Sequence, residues 1–380
     1  MKRESDNYRS LLVMAAIGSY LLWSAGAAIP LLRFDLGISR TLAGTHNIAV
    51  GISATLGARL AVPLINRFGR EWVMRMMLLL MFIGVISLVT APTIFITVPA
   101  IGVAAFSQTI VNAISLAQIS HDSAPSMRRM MIQTGIQAVV GATAILLISA
   151  SLHADQGWRL PIIIGAIVLT PISLMNIWRV KFIAPEKARQ EISDEGKNKD
   201  DTKIIAFGII NCILEIGVGF WALDLLVSRD APVALGALGS AILSYGIAIG
   251  RLSFAYFQPP NKLVIRFAVS AIITGAFIIC IVTDPLFTML GLTIAAFGIS
   301  PLFALGAFRV SEGFDHADHR ISRYMMGTSF SFGFAPFILA IVFDNFGYVV
   351  GYAALIPFAV ACYVMWKING PEKERSPIRN

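Results

Sequence analysis

The chain has 380 residues, 56% of them hydrophobic and 14% charged, with a net charge of +8 and a mean hydropathy of +0.74. Soluble domains carry about 25% charged residues, so the composition argues against a soluble enzyme, and its apolar content excludes disorder. The basic excess lies in short clusters between long apolar runs, which points to membrane topology and not to nucleic acid.

A helix crosses the hydrocarbon core in about 20 residues. The apolar runs predict an all-α membrane protein with twelve transmembrane helices in two six-helix bundles. In chain order the first six helices are expected over 10–32, 42–65, 72–91, 93–119, 130–153 and 158–180. The second six are expected over 204–227, 233–256, 263–283, 285–309, 322–343 and 346–367. The first run follows Lys2, Arg3 and Arg9, and its Ser24-Ala25-Gly26-Ala27-Ala28 segment looks like a signal-peptide cleavage site. The run continues to Leu32, too long for a signal peptide, so it is read as an uncleaved first span.

The polar, charged segment 181–203 reads as a cytoplasmic linker between bundles at 1–180 and 204–380. Of the 30 Lys and Arg, only Arg33, Arg40, Arg159 and Arg229 fall on the outer loops if the N-terminus is inside. This bias predicts a multi-pass protein of the cell membrane with both termini cytoplasmic. Cys212, Cys280 and Cys362 stand alone in apolar stretches, with no metal-ligand or disulfide spacing.

Polar residues inside a span are expected to face the bundle interior. Tyr20 and Ser24 are four apart on the first span, with Trp23 beside them. Gln108, Asn112 and Ser115 form an i, i+4, i+7 stripe on the fourth, and Asn211, Glu215 and Gly219 likewise share a face of the seventh at i, i+4, i+8. Ser300, before Pro301, interrupts the tenth. These residues are candidates to line a substrate cavity; interhelical glue, worth around 0.6 kcal/mol per contact, is the competing reading. Gln133 and Gln137 share a face of the fifth span and point to an inner vestibule.

Glu215 is the one acidic side chain near the centre of an expected span. A mid-membrane charge costs about 2.5–3.5 kcal/mol, so such a carboxyl suits proton coupling or direct substrate contact. A neutral packing group bonded to Asn211 is the alternative. His46, beside Asn47 near the outer mouth, is the second proton-coupling candidate, against a packing histidine.

The halves echo each other at an offset near 192: Arg59-Leu60 with Arg251-Leu252, Arg128 with Arg320, and Gly141 with Gly333. Repeated halves are a mark of secondary transporters, with the substrate held near the midplane between repeats. With this repeat, the central linker and the loop Asn66-Arg67-Phe68-Gly69-Arg70, the chain resembles the major facilitator superfamily. The family's loop signature is Gly-x-x-x-Asp-Arg-x-Gly-Arg/Lys; Arg67, Gly69 and Arg70 fit it, while Val62 and Asn66 replace the first glycine and the aspartate. The resemblance implies a cytoplasmic gate at Asn66, Arg67, Gly69, Arg70 and Arg251, and helices 1, 4, 7 and 10 around the cavity. The segment from Glu215 to Trp221 is weakly similar to fucose-permease-like members, and Gly141-Ala142 departs from the Gly-Pro of the family's antiporters.

No phosphate-binding loop, metal cluster or nucleophile–base pair occurs, so no enzyme and no cofactor are expected. The leading expectation is a secondary-active, monomeric carrier in the lipid bilayer. It would move a small polar organic solute by alternating access, with protons as a candidate coupling ion through Glu215. The alternatives are proton-coupled efflux of amphipathic compounds, or a receptor or scaffold that keeps the carrier fold.

Overall fold

A computed structural model describes residues 2–38, 40–120, 127–182, 194–231, 233–312 and 317–370. The described chain is helical: α1 (Lys2–Leu36), α2 (Arg40–Phe68), α3 (Arg70–Thr90), α4 (Ile94–Ser120), α5 (Met127–His153) and α6 (Arg159–Ile177) come first. Then follow α7 (Asp194–Gly219), α8 (Ala222–Val227), α9 (Val233–Phe257), α10 (Asn261–Ile281), α11 (Pro285–Ile299), α12 (Leu302–Ser311), α13 (Ala317–Ala353) and α14 (Leu355–Ile368). Among the described residues, 11 helices are long and apolar enough to cross a membrane. The remaining expected span falls on α9, whose stretch Ile242–Phe257 is a shorter apolar helix. The fold is an all-helical membrane fold of eleven to twelve spans.

Four expected spans differ in detail. The seventh is not continuous: the helix breaks after Gly219 and resumes as α8. The tenth breaks between α11 and α12, because Pro301 has no N–H to continue the ladder. In α13 the expected eleventh and twelfth spans run together across Gly347, whose φ of 80° makes the turn between them. Residues 183–193 of the expected linker lie outside the described residues, but 194–203 are already helical as the first turns of α7.

The chain divides into two compact units, one of residues 1–123 and 136–189, the other of 124–135 and 190–380. In the first, small residues let helices approach closely, as in membrane interiors generally. A Cβ added at Gly57 or Gly84 would stand 2.7 Å from the carbonyl oxygen of Phe106 or Ala100 on α4. At one end Asp35 of α1 accepts from Trp158 Nε1 at 3.0 Å and pairs with Arg159 at 2.7 Å, while Arg159 Nε donates to Val89 O of α3. This clasp fixes the ends of α1 and α3 to the start of α6.

In the second unit, Gly208 of α7 faces the Tyr324 carbonyl and Gly327 of α13 faces that of Ile205, so the two helices touch along their backbones. The start of α7 is held by charge. Asp201 meets His319 Nε2 at 2.8 Å and Arg323 Nε at 3.0 Å, and Arg320 lies 3.7 Å from Asp200. That cluster explains why the charged run is helix: its acids have cations on α13 to meet.

Candidate functional site

Unit by unit, the polar residues separate into those that pack and those that remain available. In the first unit, Ser24 is fully buried and its hydroxyl donates to Leu21 O within its own helix. Tyr20 turns toward α6, where its hydroxyl donates to Pro161 O at 2.9 Å and its ring fills the space opposite Gly165. Both are candidates for a cavity wall, and in this structure each hydroxyl is spent on a backbone carbonyl, as a hydroxyl in an apolar interior needs an acceptor. Ser115 is buried as well, and its hydroxyl has no hydrogen-bond partner among the described residues.

The polar centre of this unit is a cluster of three amides. Asn112 Oδ1 accepts from Gln137 Nε2 at 2.7 Å and from Gln108 Nε2 at 3.3 Å. Gln137 Nε2 also reaches Ala15 O at 3.2 Å, so the cluster joins α1, α4 and α5. Asn112 is its half-buried member. Gln108 Oε1 lies buried against Gly18 with no partner among the described residues, an acceptor left open. Trp23 packs its ring on Gly141 of α5, where any side chain would collide with it. Of the expected stripe, Gln108 and Asn112 therefore meet, and Gln137, singled out in sequence only as a vestibule residue, is their third partner.

His46 is fully buried between α2 and α4. Its Nδ1 faces Ala43 O at 2.8 Å and its Nε2 faces Thr97 Oγ1 at 3.0 Å, so both ring nitrogens are committed within the fold. It lies outside the amide cluster and fits the packing reading. Asn66 and Arg67 are exposed in the last turn of α2, and Gly69 makes the turn into α3 with φ 82°. Arg70, in contrast, is buried, with Nη1 3.5 Å from Gln118 Oε1 of α4. Gln118 donates onward to Lys181 O, so Arg70 braces the interior of the unit.

In the second unit Asn211 does not meet Glu215. It is buried, donating to Tyr324 Oη at 2.9 Å and Leu302 O at 3.2 Å, with the Cys362 thiol on its carbonyl oxygen. Glu215, one turn further, pairs with Arg251: Nη2 to Oε1 is 2.6 Å. Arg251 Nε donates to Ser300 O at 2.8 Å and Nη1 to Thr134 O at 3.2 Å. The guanidinium thus uses its planar fork on a carboxylate and two carbonyls, one of them at the break between α11 and α12. Ser300 contributes that carbonyl; its hydroxyl turns back to Phe297 O and its side chain packs on Gly250.

The resemblance implies a gate role for Arg251, and the sequence reading does not connect it with Glu215. The missed signal is physical: a buried guanidinium needs an anion, and the apolar spans offer one central carboxylate. The pair is uneven, with the Arg251 side chain 6% exposed and that of Glu215 27%. Trp221, at the break of α7, donates Nε1 to Pro336 O at 3.1 Å and meets Phe220 and Phe343 edge-on. Among the described residues, no group of three or more His, Cys, Asp or Glu could hold a metal ion.

A family model described as Major Facilitator Superfamily matches residues 11–319. No curated protein sequence matches the chain significantly. Among solved structures, the MFS proton:xylose symporter XylE bound to 6-bromo-6-deoxy-D-glucose is similar at TM-score 0.75 and 15% identity, over 96% of each chain. The E. coli fucose:proton symporter FucP is similar at TM-score 0.76 and 11% identity, over 96% of this chain and all of that one. The human organic anion transporter MFSD10 (TETRAN) gives 0.74 and 11%, over 94% and 99%. At these identities the likeness is one of fold.

Proposed function

We propose, for a chain that belongs to the Major Facilitator Superfamily and is a multi-pass secondary transporter, proton-coupled transport of a small, uncharged polar organic solute by alternating access. The observation that carries the coupling is the Glu215–Arg251 pair at 2.6 Å, with the acid its more accessible member. Protonating Glu215 removes the charge-assisted bond that ties α7 to α9, so proton binding and helix release are one event. Arg251 keeps its two carbonyl acceptors meanwhile, which lowers the cost of leaving a buried cation without its anion.

The amide cluster supports an uncharged solute. Gln108, Asn112 and Gln137 offer donors and acceptors but no charge, and Trp23 supplies an aromatic face for an apolar ring surface. The guanidinium of Arg251 is fully engaged inside its own unit, so it is not offered to an anionic substrate. The structural neighbours XylE and FucP are proton symporters for sugars, which agrees with this choice of solute. We place the protein in the cell membrane with both termini cytoplasmic, following the distribution of Lys and Arg.

The test is uptake into proteoliposomes against a panel of sugars, polyols and neutral amides, with and without an inward proton gradient. Accumulation that needs the gradient, and that disappears in Glu215→Gln while solute exchange persists, is the expected result. Gradient-independent accumulation by the wild type, or full coupling in Glu215→Gln, would overturn the assignment.

A further inference from the structure

A second polar site lies in the second unit, away from the residues discussed above. A cavity of about 570 Å³ opens where the start of α10 meets the ends of α12 and α14. Lys262 and Arg266 line it from α10, Arg309 from α12, and Tyr363, Trp366 and Lys367 from α14. Among the described residues that line it, none is acidic.

The cations are held in place, not merely gathered. Arg309 is 5% exposed; its Nε donates to Trp366 O at 3.0 Å and its guanidinium lies 4.2 Å from the centre of the Trp366 ring. Lys367 lies over Tyr363 at 4.7 Å. Lys262 and Arg266 stand four residues apart, on one face of α10. The N-terminus of α10 has no side-chain cap, so the positive end of its dipole adds to the same field. Lys262 in that first turn opposes the dipole, an arrangement that an anion would relieve.

We propose that this cavity binds a phosphate group, carried by an anionic phospholipid or by a soluble phosphate ester. Arg266 supplies a forked donor of the geometry that phosphate accepts, Arg309 and two lysines add positive charge, and the aromatic walls keep the cations oriented. The position suits a lipid: the Lys and Arg distribution assigns this end of α10, α12 and α14 to the cytoplasmic leaflet, where anionic headgroups collect, and basic pockets between helices bind such headgroups.

The experiment uses the full chain in detergent, with native mass spectrometry against phosphatidylglycerol and phosphatidylcholine of the same acyl chains, and glycerol phosphate as competitor. Wild type should retain phosphatidylglycerol in preference to phosphatidylcholine. Arg266→Ala and Lys367→Ala, both at exposed positions, should each weaken that retention about fivefold, while Arg128→Ala, a basic control outside the cavity, should not. If glycerol phosphate displaces the lipid at comparable concentration, the site takes a soluble phosphate ester; if it does not, the lipid is the ligand. Equal retention of both lipids together with no binding of glycerol phosphate, or unchanged retention in the Arg266→Ala/Lys367→Ala double variant, would overturn the proposal.

Discussion

Arg251 engages a carboxylate and two carbonyls at once, a task its planar fork performs and a lysine cannot. Arg251→Lys should therefore abolish gradient-driven accumulation and destabilise the protein by about 1–3 kcal/mol, since acceptors around a buried site lose their donors. A thermal-shift measurement beside the transport assay checks both; unchanged coupling in the lysine variant would remove Arg251 from the mechanism. Gln133 is the opposite case. It is buried, and neither its amide oxygen nor its nitrogen has a partner among the described residues. An unsatisfied buried polar group costs about 1–3 kcal/mol, so Gln133→Met should raise the melting temperature. A lower melting temperature would mean the amide is satisfied in the protein in solution. The repeat register also divides at this scale: Arg251 is buried in its ion pair, while Arg59, its sequence counterpart, is exposed.

Where helices end and break, sequence and structure part company in an instructive way. Hydropathy located the spans because each must hide its backbone in lipid for about 20 residues, and that need is written locally. Periodicity then showed which polar residues share a face, but not which neighbour that face meets. Asn211 and Glu215 lie one turn apart, yet Asn211 packs against Tyr324 and Leu302 while Glu215 pairs with Arg251. Gln108 and Asn112 joined as their spacing suggested, but their partner Gln137 comes from another helix. The start of α7 shows the same limit: its charged run looked like a tether because the cations that hold it belong to α13, over a hundred residues away. These pairs are partly buried, so each is worth about 1 kcal/mol, near the top of the range for accessible pairs. Asp201→Asn should release the first turns of α7, seen as faster amide exchange over 200–205, with little change in the body of α13. Exchange unaltered by the substitution would show that backbone packing through Gly208 and Gly327 holds this end without help.

At the scale of the whole molecule, the span count and the charge bias make one joint statement about sidedness. Within the first unit the ends of α1 and α3 meet the start of α6 through Asp35, Val89 and Arg159, as alternating crossings require. Within the second, Arg229 after α8 reaches Ile279 O at the end of α10 and Thr288 at the start of α11, again three ends on one side. Arg159 and Arg229 are two of the four basic residues expected outside, and both satisfy their charge on local acceptors. Lys181 and Ser228 flank the seventh span, and both are exposed. Lys181→Cys and Ser228→Cys, each in a Cys280→Ser background because that thiol is only partly buried, should label from opposite faces of sealed cells. Ser228→Cys should react with an impermeant maleimide, and Lys181→Cys only after the membrane is opened. Labelling of both from one side would mean that α7 with α8 does not cross the bilayer. Reversed labelling would keep the crossing and invert the orientation, placing the cluster of Lys262, Arg266, Arg309 and Lys367 on the outer face.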